Sequence, residues 1–311
     1  MTGVQTCALP IYPNIDVQIQ QDVEFLKIKS HAIKSLSKAF YRLQFNDLSD
    51  VKNLISNVTD IVDYLLKNKD INTIHLIELK TYDNYTFVHS LNTCVLALFL
   101  GTQLGYSKAM LIDLGFAGLL HDIGKMKIPN DILNKKGKLT PEEFEVMKQH
   151  PLLGYDIIKN IENVNINGKI AVREHHEKVD GTGYPYGIKG NNISNYGKII
   201  CLSDVYDALT CDRSYRKSFP PSEAYEYILA NSGIYFDFEF VNIFRNTFSF
   251  YPIGIEVKLS NGYNAFVIGQ NKGFPDRPII KVFRDPEDKL IQPFVMNLMD
   301  KTDITIMNTV F

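Results

Sequence analysis

Histidine and aspartate side chains are concentrated in the middle of the chain. Five of the seven histidines lie between positions 89 and 176. Imidazole and carboxylate together suit borderline divalent metals such as iron, manganese and zinc, whereas oxygen ligands alone favour magnesium or calcium. A ligand set without cysteine also argues against a structural zinc site. The candidate metal ligands are His89, His121, Asp122, His150, His175, His176 and Asp204.

The pair His121-Asp122 is the centre of this set. It follows the apolar run AGLL, which predicts a buried helix that ends by presenting two ligands at a cleft. Lys125 is four residues after His121, so we expect it on the same helix face, where its ammonium group could contact a phosphate or a metal-bound hydroxide. Two plainer interpretations stay open: the pair as a cap or buried hydrogen-bond pair, and Lys125 as a solvated lysine.

The segment REHHEKVDGTGYP places tandem histidines before a glycine-rich turn. Adjacent helical side chains diverge by roughly 100°, so His175 and His176 either serve different metals, or one binds metal while the other orients water. Gly181 and Gly183 permit a tight backbone path. Tyr184 either stacks on a base or packs the loop.

A third segment, CLSDVYDALTCDRSYRKSFP, carries the last candidate ligand. Ser203 is expected to cap a helix, Asp204 to bind metal, and Asp207 to pair with a basic residue as a structural partner. Arg213 and Arg216 belong to a short basic group, and guanidinium matches phosphate oxygens with two parallel hydrogen bonds. A solvated basic loop is the alternative interpretation.

The elements that must position these residues are helical. Residues 13–82 place apolar side chains at spacings of three and four, which predicts a helical lead-in. A second helical block carries the candidate site. Within it, Thr140 as N-cap, Pro141 in the first turn and Glu143 three residues after the cap form a capping box. That helix is expected to end at His150, before Pro151.

The last part of the chain has a different pattern. Residues 251–311 alternate apolar and polar positions, with a turn at Asn261-Gly262, which predicts a small antiparallel β subdomain. It contains no histidine or cysteine. The predicted fold class is therefore mainly α with this β subdomain at the C-terminal end, and the chemistry is expected in the helical part.

The composition limits which binding partners and which cell compartment are expected. The chain has 311 residues and a formal net charge of -2, which favours neither a nucleic-acid polymer nor an anionic membrane as partner. Four separated cysteines without a CxxC pair suit a reducing compartment, and we expect a cytoplasmic protein. No apolar run approaches the roughly 18 residues of a membrane span.

The first twelve residues, MTGVQTCALPIY, lack the features of a signal peptide and resemble translated sequencing-adapter read-through. Residues 1–12 are therefore expected to be an adapter artefact or disordered, and they carry no functional inference. An upstream sensor domain and the regulatory input stay open.

The ordered motifs HDIGKMKIPNDILNKKGKLTPEEFEVMKQHPLLGYDIIKN, HHEKVDGTGYP and SDVYDALTCDRSYR resemble the HD-GYP family of the HD phosphohydrolase superfamily. The resemblance covers residues 83–250. It implies a helical HD-type bundle that acts as a metal hydrolase on cyclic di-GMP, or in some members on cyclic GMP-AMP.

The resemblance also implies roles for individual residues. All seven candidate ligands would hold metal, with Asp122 bridging, and Lys125 would lie beside the bridging hydroxide and the substrate phosphate. Tyr184, Arg213 and Arg216 match substrate-contacting positions. Some members carry a glutamate where this chain has Tyr85 and bind three metals, so two divalent ions, iron or manganese, are expected here.

The resulting hypothesis is a phosphodiesterase that converts cyclic di-GMP to pGpG, GMP or both through a metal-bridging hydroxide. Two alternatives are a cyclic-dinucleotide receptor without catalysis and an HD hydrolase of another nucleotide such as cyclic GMP-AMP. The resemblance further suggests a GGDEF-type protein partner at the GYP loop, and a homodimer stays open.

Overall fold

The computed structural model describes residues 13–45, 47–68, 85–162, 164–211, 218–251, 253–271 and 273–310. Its helices are α1 (Pro13–Leu43), α2 (Val51–Lys67), α3 (Tyr85–Gln103), α4 (Lys108–Leu120), α5 (Asn130–Leu133), α6 (Pro141–Met147), α7 (His150–Ile158), α8 (Ile166–Glu174), α9 (Asn195–Thr210), α10 (Pro221–Ala230) and α11 (Phe238–Thr247). Its strands are β1 (Glu256–Leu259), β2 (Asn264–Asn271), β3 (Phe274–Arg284), β4 (Leu290–Asn297) and β5 (Ile306–Val310).

Helices α1 and α2 form the lead-in predicted from the apolar spacing. The apolar positions of α2 recur every three or four residues, so they fall on one face of the helix. That face packs into the main apolar core. Its buried apolar side chains include Val51, Leu54, Val58, Ile61, Val62 and Leu65.

Helices α3, α4 and α9 lie at the centre of the helical core. Their sequences are apolar around most of the helix surface, which is typical of helices covered on all sides. Helices α3 and α4 approach closely at Gly118, where an added Cβ would lie 2.8 Å from the Cα of Cys94. This close packing brings His89 of α3 beside the C-terminal end of α4.

The capping box at α6 is present as predicted. The Thr140 hydroxyl accepts from the Glu143 N–H at 3.2 Å, and the Glu143 carboxylate accepts from the Thr140 N–H at 2.7 Å. The predicted end at His150 is wrong, because α6 ends at Met147 and His150 begins α7. Proline is tolerated in the first turn of a helix, because the N–H that it lacks would make no intrahelical bond there. Pro151 therefore stands in the first turn of α7 and does not mark the end of α6.

The C-terminal strands form one antiparallel sheet in the order β4-β3-β2-β1-β5. Gly262 turns the chain between β1 and β2 with φ 89°, a conformation that favours glycine, and Val257 pairs with Ala265 across the hairpin. The predicted small antiparallel β structure is confirmed. One face of the sheet is buried in a second apolar cluster of Val257, Leu259, Ala265, Val267, Ile280, Val282, Leu298 and Ile304.

Within the described ranges, no helix is both long and apolar enough to cross a bilayer. Three cysteines, Cys94, Cys201 and Cys211, are free thiols. Cys7 and His75 lie outside the described residues.

Candidate metal centre

The seven candidate ligands come from five places in the helical core. His89 lies on α3, His121 follows the last residue of α4, and His150 begins α7. His175 follows the last residue of α8, and Asp204 lies within α9. Six of the seven ligands are buried, from 0% exposure at His121 and His175 to 8% at Asp204, and His176 is partly exposed. The ends of α4 and α8, the start of α7 and one face each of α3 and α9 thus meet at one interior point. Asp122 follows His121 at the end of α4, and His176 follows His175 at the end of α8.

The ligand atoms form two groups, each with its atoms within 4.8 Å of one another. One group contains Asp122, His150, His175 and His176, and the other contains His89, His121 and Asp204. Both groups are therefore able to hold a metal ion.

Asp122 lies between the two groups and turns one oxygen to each. Its Oδ1 lies 3.4 Å from Nε2 of His150 and 3.9 Å from Nε2 of His175. Its Oδ2 lies 3.3 Å from Nε2 of His121 and 3.8 Å from Nε2 of His89. A carboxylate in this position is suited to bridging two cations.

Backbone carbonyls fix the tautomer of three of the histidines. The Nδ1 atoms of His121, His150 and His175 each lie 2.8 Å from the carbonyl oxygen three residues earlier. A carbonyl only accepts, so each Nδ1 carries the proton and donates. Each Nε2 therefore keeps a lone pair and points into the centre, which is the usual arrangement of a metal-binding histidine.

Several polar atoms of the centre fit a cation. Nε2 of His121 and Oδ1 of Asp122 are buried without a hydrogen-bond partner among the described residues. The Nε2 atoms of His150 and His175 lie 3.2 Å apart, so two lone pairs face each other. Buried acceptors in this state are costly, and cations bound in the two groups would satisfy them.

The histidines of the first group are held neutral. Burial, reinforced by neighbouring positive charge, lowers the pKa of His150 to about 3. Burial also lowers the pKa of His176 to about 4 and that of His175 well below its usual range. Neutral imidazole is the form that binds metal, so these side chains are ready for an ion at neutral pH.

The aspartates are held ionised. Burial alone would raise the pKa of Asp122, but the positive charge of Lys125, with a further contribution from the adjacent His121, outweighs it and holds that pKa well below its usual range. Burial is likewise outweighed at Asp204, whose pKa is lowered mainly by its hydrogen bond with His89. The centre therefore offers two negative charges to a cation.

His89 is clamped between two carboxylates. Its Nδ1 lies 2.7 Å from Oδ2 of Asp207, and its Nε2 lies 3.0 Å from Oδ1 of Asp204. Burial alone would lower the pKa of His89, but these two hydrogen bonds raise it to about 10. Metal binding at Nε2 must displace a proton. Asp207, predicted to pair with a basic residue, pairs with His89 and orients its ring.

Lys125 does not lie where the sequence predicted. Helix α4 ends before His121, and residues 123–127 form a short 3₁₀ helix, so the two residues do not share a helix face. The Nζ atom of Lys125 instead lies 2.6 Å from Oδ2 of Asp122. Its side chain is 30% exposed, so the ammonium group is reachable from solvent while it contacts the central carboxylate.

Ser203 is not a helix cap. It lies within α9, and its hydroxyl donates to the carbonyl of Ile199 at 2.8 Å. The N-cap of α9 is Ser194, whose side chain accepts from the Gly197 N–H. Because α9 is buried around most of its surface, its apolar pattern gives little indication of where the helix begins.

Tyr184 closes one side of the centre. Its ring stacks on the imidazole of His176, with centroids 4.6 Å apart and planes at 28°. Of the other candidates for substrate contact, Arg213 and Arg216 lie outside the described residues, as does the side chain of Tyr85.

Comparison with known proteins relates the chain to hydrolases of cyclic dinucleotides. A family model described as the HD domain matches residues 74–240. A cyclic di-GMP phosphodiesterase of Pseudomonas aeruginosa is 37% identical over 220 residues, which are 71% of this chain and 53% of the relative. A cyclic di-GMP phosphodiesterase of Thermotoga maritima is 34% identical over 223 residues, 71% of this chain and 57% of the relative. The chain spans about half the length of the curated relatives it matches.

Among solved structures, the fold is similar to that of an HDG"Y"P protein from Bdellovibrio bacteriovorus. The TM-score is 0.57 at 15% sequence identity, over 70% of this chain and 68% of that one. The family match covers more than half of the sequence and contains all seven residues of the centre. The chain therefore belongs to the HD domain family.

Proposed function

We propose that the chain is a metal-dependent phosphodiesterase that hydrolyses cyclic di-GMP. The observation that carries the proposal is the position of Asp122, whose two oxygens face two separate groups of ligand atoms. The similarity to cyclic di-GMP phosphodiesterases supports the substrate.

The proposed centre holds two divalent ions, iron or manganese, because imidazole and carboxylate ligands suit borderline metals. One ion would be held by His150, His175 and His176, and the other by His89, His121 and Asp204. Asp122 would contribute to both sites. When bound, the two ions would lower the pKa of a shared water and stabilise the negative charge of the transition state.

The chain's own residues supply the remaining groups. Lys125 keeps Asp122 ionised and, being part-exposed, is placed to neutralise a phosphate oxygen. Tyr184 offers a ring face near the centre, and Arg213 and Arg216 are proposed phosphate contacts from the sequence pattern. Hydrolysis adds water across the bond between phosphorus and the 3′ oxygen, which gives linear pGpG and, after a second cut, GMP.

A substrate panel tests this function. The full chain, prepared without oxygen and loaded with Fe(II) or Mn(II), is incubated with cyclic di-GMP, cyclic GMP-AMP or cyclic di-AMP, and the products are separated by chromatography. We expect pGpG or GMP to form from cyclic di-GMP. Preferred cleavage of cyclic GMP-AMP would reassign the substrate, and tight binding of cyclic di-GMP without any product would indicate a receptor.

A further inference from the structure

The loop after the tandem histidines folds back onto the carboxylate of Glu177, which is 2% exposed. Oε1 accepts from the Tyr186 N–H at 2.7 Å, and Oε2 accepts from the Ile188 N–H at 3.1 Å. The Gly187 N–H also donates to this carboxylate. Three consecutive backbone N–H groups thus converge on one side chain.

Gly187 makes this convergence possible. Its φ is 64°, in the left-handed region that favours glycine. Turns of this kind direct successive N–H groups to one side and form a concave site for an anion. Here the anion is a side chain of the same loop, so the contact closes residues 177–188 into a ring.

The closed loop carries Tyr184. The Tyr184 N–H donates to the His176 carbonyl at 3.1 Å, and the Tyr184 ring stacks on the His176 imidazole. The backbone beside it is tightly packed, since a Cβ added at Gly183 would lie 2.4 Å from the Lys178 nitrogen. The position of the ring therefore depends on how the loop is held.

We propose that Glu177 is a positioning residue for substrate: by holding the N–H groups of residues 186–188, it keeps the Tyr184 ring beside the metal centre as a surface on which a nucleobase stacks. Bases of any sequence gain binding energy by stacking on an aromatic side chain. The inference rests on the proposed function. Glu177 was not among the predicted site residues, although an acidic residue directly after two histidines is a visible signal in the sequence.

Glu177→Gln tests the contact with little change in size. The amide has one acceptor oxygen in place of two, and it turns an N–H donor toward backbone N–H groups. We expect faster hydrogen exchange at the amides of residues 186–188 and a rise of about tenfold in KM for cyclic di-GMP, the effect of one charge-assisted hydrogen bond. Metal content and kcat should change little.

The matched control is Asp113→Asn. The Asp113 carboxylate also accepts a backbone N–H, from Asn165 at 3.1 Å, but it holds a different loop. This variant should leave KM unchanged. If Glu177→Gln does not fold, Gly187→Ala disturbs the same contact from the loop side, because alanine is strained at positive φ, and it should raise KM similarly.

A double-mutant cycle separates positioning from general destabilisation. In a Tyr184→Ala background, Glu177→Gln should raise KM no further, because the ring whose position it controls is gone. An equal rise in both backgrounds would overturn the inference, and so would an unchanged KM in an active Glu177→Gln enzyme.

Hydrogen exchange does not depend on turnover. Unchanged protection at residues 186–188 in Glu177→Gln overturns the inference even in an active enzyme. If the wild-type chain cleaves no cyclic dinucleotide, the proposed function fails, while the exchange result still decides whether Glu177 holds the loop.

Discussion

Nδ1 of His89 lies 2.7 Å from Oδ2 of Asp207, although the two residues are 118 positions apart in the chain. Asp207 is one helical turn after Asp204 on α9, so a single helix contributes both the carboxylate that faces the centre and the carboxylate that orients the histidine. Partners of this kind fix the ring orientation of a metal ligand and increase its basicity.

Asp207→Asn should therefore weaken the centre without removing a ligand. Loss of the partner carboxylate is expected to reduce metal affinity or turnover by about 10–100-fold, measured by competition with a chelator and by product formation. Asp131→Asn, at an exposed position, is the control and should behave as wild type. Wild-type metal affinity and turnover in Asp207→Asn would show that His89 does not depend on Asp207.

Lys125→Gln should move the acid limb of the pH–rate profile to higher pH. Lys125 holds the pKa of Asp122 low, so its loss raises that pKa and lets protons compete with metal at higher pH. Turnover should also fall, by about 100–1,000-fold, the effect of losing one group that stabilises transition-state charge. Lys127→Gln is the matched control, since Lys127 is exposed and donates to the carbonyl of Gln44. An unshifted profile in Lys125→Gln would contradict this role.

Gly124→Ala should be strongly destabilising. A Cβ at this position would lie 1.9 Å from the His150 carbonyl oxygen and 2.5 Å from the Gly154 nitrogen, and backbone cannot move aside cheaply. We expect a loss of roughly 3 kcal/mol or more in the free energy of unfolding, measured by urea denaturation. Gly101→Ala, whose nearest neighbours are ends of leucine side chains, should cost less, and the reverse order would contradict the packing argument.

The metal-free protein should lose stability in mild acid. The folded-state pKa values of His150 and His176 are about 3 and about 4, below the ordinary value of 6.5. Between the folded-state values and 6.5, these two histidines are protonated in the unfolded chain but not in the folded one. The free energy of unfolding therefore falls as the pH decreases below about 6.5.

The urea midpoint of chelator-treated protein, compared at about pH 6.5 and about pH 5, measures this loss. His150→Gln should reduce the difference between the two midpoints, because it removes one of the groups that titrate in the unfolded chain. His31→Gln, at an exposed position of α1, should leave the difference unchanged. Identical midpoints at both pH values in the wild-type protein would contradict the acid sensitivity.

Local patterns predicted the elements better than they predicted the contacts. The apolar run before His121 correctly indicated a helix that ends at the ligand pair, and the capping box at Thr140 correctly indicated a helix start, because both signals depend on neighbouring residues. The predicted end of α6 was misplaced, because a proline such as Pro151 marks a helix boundary but can stand either after the end of one helix or in the first turn of the next.

Nearby backbone carbonyls orient His121, His150 and His175, but other contacts of the ligands depend on distant residues. No local pattern joins His89 to Asp207 or turns the two oxygens of Asp122 toward different histidines, because these relations arise from the packing of α3, α4, α7, α8 and α9. The position of Lys125 was misjudged for the same reason: the change from α-helix to 3₁₀ helix after Asp122 has no clear sequence signal.

Metal titration of the metal-free chain tests the central claim most directly. Mn(II) is added stepwise while cleavage of cyclic di-GMP is followed in the wild-type chain and in Asp122→Ala. We predict that wild-type turnover requires two ions per chain, and that Asp122→Ala is at least about 100-fold slower because the group shared by both ions is lost. Full turnover by metal-free protein, or by Asp122→Ala, would contradict the account.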